Sequence, residues 1–153
     1  MQNKNIIVGW KTSRWLVCSS LLFMVPSIYA FYLHLYFFSG LLLITSAVSA
    51  NHWRDALFDS QRRTIDRMIA KLSFVIFMVD GVMHIRYIPY ICVGYANLVA
   101  IVYCYKQPND LYLEQHSTVW YKYHMMFHFC VMCEQLLVII SHPQIYTIEP
   151  NSI

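Results

Sequence analysis

Charge is what this sequence has least of. Asp, Glu, Lys and Arg make up 12% of its 153 residues, against about a quarter in an ordinary soluble domain. The few charges cluster between long apolar runs, 58% of the residues are hydrophobic, and the mean hydropathy is +0.45. That pattern points to one integral membrane domain over residues 1–153. In such a chain the bilayer takes over much of the burial that a soluble core would supply. Every spanning backbone group must then be satisfied inside its own segment, which makes the expected fold an all-α, polytopic helix bundle.

Other absences narrow the reading further. The cysteines (Cys18, Cys92, Cys104, Cys130, Cys133) are odd in number, lie inside apolar runs and have no framework spacing, so they do not read as disulfides. Cys130 and Cys133 form C-x-x-C within an apolar helix rather than beside a strand, and packing is the preferred role. A formal net charge of +3, with no basic run interleaved with aromatics, gives no reason to expect a nucleic-acid partner. There is no internal repeat and no low-complexity segment. The basic start, "MQNKNIIVGWKTSRW", precedes an apolar run that is too long for a signal peptide, contains Pro26 and lacks a small-residue cleavage site, so an uncleaved first span is expected.

About 20 apolar residues cross the hydrocarbon core, and about five such spans are expected: residues 15–32, 36–51, 67–82, 87–105 and 119–141. The first is softened at Pro26. The uncharged "YLHLYFF" between the first two predicts a short hairpin in the aromatic interface belt, and "HPQIYTIEPNSI" predicts an irregular tail. Lys4, Lys11, Arg14, Arg54, Arg62, Arg63, Arg67, Lys71, Lys106 and Lys122 all fall on one side of a five-span chain, and Arg86 stands on the other. The excess of Lys and Arg predicts a cytoplasmic N-terminus, a C-terminus outside the cytoplasm or in a lumen, and an endomembrane setting.

Placing the polar residues by depth brings four of them to the cytoplasmic leaflet. His52 ends the second span, Asp66 opens the third, and His124 and His128 lie in the first turns of the fifth, "WYKYHMMFHFCVMCEQLLVIIS". Residues i and i+4 share a helix face, so His124 and His128 can grip one ion, with His52 as a third ligand. Zinc takes neutral imidazole nitrogen, and catalytic zinc sites commonly have three protein ligands plus water. Such a water is a nucleophile near neutral pH, and Asp66 is placed to act as its general base. Ser49, one turn before His52, is placed to donate a hydrogen bond to a carbonyl oxygen or to a ligand. Each residue has a plainer role open to it. A boundary His serves as an interfacial polar group, a carboxylate at a helix start suits the macrodipole and pairs with Arg62, Arg63 or Arg67, and a serine packs between membrane helices.

Serine and histidine closing one span ("TSAVSANHW"), aspartate opening the next ("RRTIDRMIAKL"), then H-x-x-x-H in the last span: this order resembles the CREST superfamily of alkaline ceramidases, adiponectin/progestin-type receptors and related transmembrane hydrolases. The resemblance implies Zn2+ held by His52, His124 and His128. It implies that Asp66 and Ser49 assist hydrolysis of a lipid amide or ester, with a ceramide-like membrane lipid as partner. The family pattern is S-x-x-x-H over seven spans. Here Val48 stands four before His52, Ser49 three before, Ser46 six before, and five spans are expected. A receptor that keeps its zinc for structure, and a metal-free structural or assembly protein, are the alternatives. Elsewhere, Asp80 is expected to pair with Arg86 or His84, Glu134 with a helix neighbour or a proton, and Asn97 across helices. His34, His116 and His142 read as interfacial or loop residues.

Overall fold

The structure, a computed structural model, describes residues 8–57, 60–113 and 119–142. They fold into α1 (Trp10–Ser20), a 3-10 turn (Leu21–Phe23), α2 (Met24–Tyr32), α3 (Tyr36–Arg54), α4 (Gln61–His84), α5 (Ile88–Leu113) and α6 (Trp120–Ile140). The chain is an all-α bundle, as its composition requires. Each expected span has a helical segment, and the first is divided. Pro26 has no N–H to give the carbonyl of Leu22, and its ring crowds that carbonyl. The 3-10 turn sits at that carbonyl. Lys4, His116 and residues 143–153 of the expected tail lie outside the described residues.

Trp10–Tyr32, Ile88–Gln107 and Trp120–Ile140 are long and apolar enough to cross a membrane. Among the described residues, α3 and α4 are long helices that do not reach that composition. At 1.5 Å per residue, the 19 and 24 residues of α3 and α4 extend roughly 28 Å and 36 Å. Length is therefore not what they lack. α4 carries Arg62, Arg63, Asp66, Arg67, Lys71 and Asp80, and α3 ends in Asn51, His52 and Arg54.

Ser60 caps α4, its hydroxyl accepting from the Arg63 N–H at 3.2 Å. The α2–α3 hairpin turns on His34, whose φ of 60° is left-handed. The Leu35 N–H reaches the Ala30 carbonyl (2.9 Å) and the His34 N–H reaches that of Phe31 (3.0 Å). This is the paired closure of a Schellman C-cap.

α3 packs on α1, α2 and α4, and α6 packs on α5, α1, α2 and α4. The buried set is rich in hydroxyls, and many apolar side chains are exposed. Ser13, Ser19, Ser20, Ser27, Ser39, Thr45, Ser46, Ser49 and Ser73 are buried, while Ile28, Phe31, Phe37, Val82, Ile88 and Val99 are exposed. Small hydroxyl residues let helices approach closely and bond across, and apolar side chains face outward where lipid replaces water.

The seam along α1, α2 and α3 is stitched by serine. Ser27 donates to the Ser39 carbonyl (2.8 Å), Ser46 to the Ser20 carbonyl (3.0 Å), and Ser13 to the Trp53 carbonyl. Two apolar clusters close the bundle. Leu16, Trp53 and Ala56 pack with Trp120, Tyr121 and Met125 at one end. Ala30, Leu35, Leu42, Phe77, Val138 and Ile139 pack at the other.

Candidate functional site

Between the apolar clusters lies a polar band that holds the residues singled out in the sequence. The Ser49 hydroxyl, on α3, faces the Asp66 carboxyl on α4 and stands 3.0 Å from the Ser20 hydroxyl on α1. The serine and the aspartate named from sequence are thus neighbours across two helices. Ser49 is buried and Asp66 half-buried. On α6, the rings of His124 and His128 stand edge to face with centroids 4.6 Å apart, as their spacing requires. His128 is buried and its Nδ1 lies 2.9 Å from the Ser19 hydroxyl on α1.

The Ser19 hydroxyl has two neighbours, His128 Nδ1 and the Leu16 carbonyl 2.9 Å away. When its proton goes to Leu16 it accepts from His128, and Nδ1 is then the N–H while Nε2 keeps its lone pair. Metal-binding histidines are commonly fixed this way, by a bond through the other ring nitrogen.

His52 is buried, and its ring lies against Trp53 (centroids 4.7 Å), whose indole meets His124 edge to face (4.9 Å). Its Nδ1 is buried without a hydrogen-bond partner. His52 is within electrostatic range of His124, and of Arg63 and Arg67 on α4. The donor set fits a zinc ion in chemistry: three imidazoles, one held through a ring nitrogen by Ser19 and one with an orphaned nitrogen. The three rings are brought into one region but are not gathered as closely as a second group.

That second group lies at the other end of the bundle. Among the described residues, Asp80, His84 and His142 are three whose ligand atoms all lie within 4.8 Å of one another. His84 Nδ1 is 3.0 Å from Asp80 Oδ1, and His142 Nε2 is 3.7 Å from the same oxygen. The expected Asp80–His84 pair is thus present, one turn apart on α4. His142, read from sequence as interfacial or loop, is buried in the site. It follows the C-terminal end of α6 and packs edge-on against Phe38 (5.5 Å). Its signal in the sequence was weak, because a histidine after the last apolar residue of a span marks a membrane boundary whether or not it has a partner. A groove of about 360 Å3, lined by Phe37, Phe38, Val75, Ile76, Val79 and Met83, reaches Asp80 and His84.

The remaining polar expectations resolve into pairs. Asn97 on α5 donates to Glu134 Oε2 and to the Cys130 carbonyl on α6, both at 2.8 Å. Gly94 makes room for this: a Cβ there would sit 3.2 Å from Glu134 Oε1. All five cysteines are free. In the α3–α4 connection, Asp55 accepts from Arg62 at 2.6 Å with Arg54 at 3.5 Å. The Arg62 hydrogen bond, aided by the Arg54 charge, holds the Asp55 carboxyl below its ordinary range.

Comparison with protein-family models, curated proteins and solved structures finds no significant match to this chain.

Proposed function

We propose that the chain is a five-span membrane protein whose polar band works as a zinc-dependent hydrolase of a lipid amide or ester. The observation that supports this is the His124–His128 pair beside the orphaned Nδ1 of His52, with Ser49 and Asp66 neighbours between α3 and α4. A purely structural seam has no need of a carboxyl and three imidazoles at one level, since buried polar groups in a membrane are costly without a task or a partner.

In this reading His52, His124 and His128 hold the zinc, which when bound supplies a water of lowered pKa. Ser19 orients His128 through Nδ1. Ser49 orients Asp66, and Asp66 takes a proton from the attacking water and returns it to the leaving amine or alcohol. The lipid enters laterally from the cytoplasmic leaflet, its polar linkage at the band and its chains between helices. The Lys and Arg at that end set the N-terminus on the cytoplasmic side.

Elemental analysis of the detergent-purified chain, read together with turnover of a labelled ceramide-like lipid, tests this. Zinc should fall in His124→Ala. Asp66→Asn should keep zinc and lose turnover. Undiminished zinc in His124→Ala, or undiminished turnover in Asp66→Asn, rejects the proposal.

One observation favours a second reading, a non-catalytic receptor or assembly protein. The three imidazoles are less closely gathered than Asp80, His84 and His142, and the serine seam alone accounts for tight packing. Retained zinc with no turnover in the unaltered chain selects the receptor form, and no zinc bound by the band selects the assembly protein.

A further inference from the structure

The end of the bundle remote from the polar band carries the more closely gathered donors. Asp80 and His84 are four residues apart on α4, so both project from one face, and His142 arrives from the end of α6. All three ligand atoms lie within 4.8 Å of one another. Two imidazole nitrogens and one carboxylate oxygen are a common catalytic zinc donor set, and the same set binds other divalent transition metals.

A simple Asp–His ion pair leaves part of this arrangement unexplained. Asp80 Oδ1 is already shared between two rings, at 3.0 Å and 3.7 Å. Among the described residues, Asp80 Oδ2 is buried with no hydrogen-bond partner. An oxygen withdrawn from solvent and unpartnered is costly, and a cation among the three side chains would satisfy it. The two rings face each other at 5.2 Å between centroids, with Phe38 packed against His142. An apolar groove opens beside Asp80 and His84.

We propose that Asp80, His84 and His142 form a divalent transition-metal site, with Zn2+ the best-matched ion, that ties the end of α6 to α4. This site is distinct from the polar band and does not depend on the hydrolase reading. Three protein donors leave a tetrahedral ion one open position, directed to water or to an oxygen of a bound molecule.

The test is titration of the full-length, metal-stripped chain with Co2+, a spectroscopic substitute for Zn2+, in a His124→Ala background that silences the band. A visible ligand-field absorption saturating at one Co2+ per chain is expected, competed away by Zn2+. Asp80→Asn should lose it. His142→Cys should keep it and add a thiolate-to-cobalt charge-transfer band in the near ultraviolet, a signature that a merely structural residue does not give. No ligand-field absorption in the His124→Ala chain, or a His142→Cys chain without the charge-transfer band, overturns the proposal. Because His124 is absent throughout, neither result bears on the zinc of the polar band.

Discussion

The Ser19 hydroxyl of α1 and Nδ1 of His128, on α6, share a hydrogen bond across 2.9 Å. The bond spans 109 residues of sequence and joins the first helix to the last. Ser19→Ala removes the partner and leaves a buried ring nitrogen unpaired, which should cost about 1 kcal/mol. Thermal unfolding in detergent measures it. Under the hydrolase reading the same substitution also lowers zinc affinity by about 10- to 100-fold. An unchanged affinity would leave the bond a packing contact.

The α5–α6 pair rests on Asn97 and Glu134. Asn97→Leu and Glu134→Leu should each destabilise by about 1 kcal/mol, and the double variant by clearly less than their sum, because the two groups share one interaction. A double-mutant cycle on unfolding free energies reads the coupling. Strict additivity would mean that the hydrogen bond carries no net stability.

His34 occupies a left-handed backbone position, φ 60°, where a side chain costs about 1–2 kcal/mol. It is exposed, and its Nδ1 bonds only the nearby Tyr36 hydroxyl (2.8 Å). His34→Gly should therefore raise stability by about 0.5–1 kcal/mol, while His34→Val should lower it. A melting-temperature comparison of the three proteins decides.

Asp55 gives a pH-dependent signature outside the helices. Its folded-state pKa is depressed below the ordinary aspartate value of 3.8, first by the Arg62 hydrogen bond. The contribution to stability is thus present above pH 3.8 and fades as pH falls below it. Asp55→Asn should melt slightly below the parent at pH 7, and the gap should close on acidification and in high salt. The pair is exposed and the effect small. A gap that widened on acidification would contradict the assignment.

Topology is accessible to cysteine labelling. Gly9→Cys and Ser60→Cys should react with an impermeant maleimide from one side of a sealed vesicle, and Arg86→Cys from the other. Labelling of Ser60→Cys and Arg86→Cys from the same side would remove the five-span arrangement.

Much of the architecture was legible because it follows from a local rule. Apolar runs set the helices, and α6, expected over 119–141, forms as Trp120–Ile140. Pro26 marked the break in the first span. Asp80 was expected to pair with Arg86 or His84, and His84 is the partner; Asn97 was expected to bond across helices. Ser49 was expected to serve a carbonyl oxygen or a ligand, and its position beside Asp66 was not foreseen. What stayed hidden depends on rotation about the helix axes. Depth alone puts His52, His124 and His128 at one level, but the turn of α3 relative to α6 decides how closely their rings approach. His142 and Ser19 were missed for the same reason, since neither has a periodic partner in its own segment. The marginal composition of α3 and α4 is explained by their serine-rich and charged faces, which a count of apolar residues sees only in part.

The serine stitching has a consequence for biogenesis. The first helical unit, α5 and α6 are apolar enough to enter a bilayer alone. Among the described helices α3 and α4 are not, because their hydroxyls and charges need neighbours. Under the five-span reading, the polar groups of α3 are covered once the Ser20 carbonyl is there to accept from the Ser46 hydroxyl and the Ser27 hydroxyl is there to donate to the Ser39 carbonyl. Asp66 of α4 is covered in turn when Ser49 is placed beside it. The order of synthesis therefore also sets the order of burial, and a chain delayed between the second and third segments would present its polar seam to chaperones rather than to lipid.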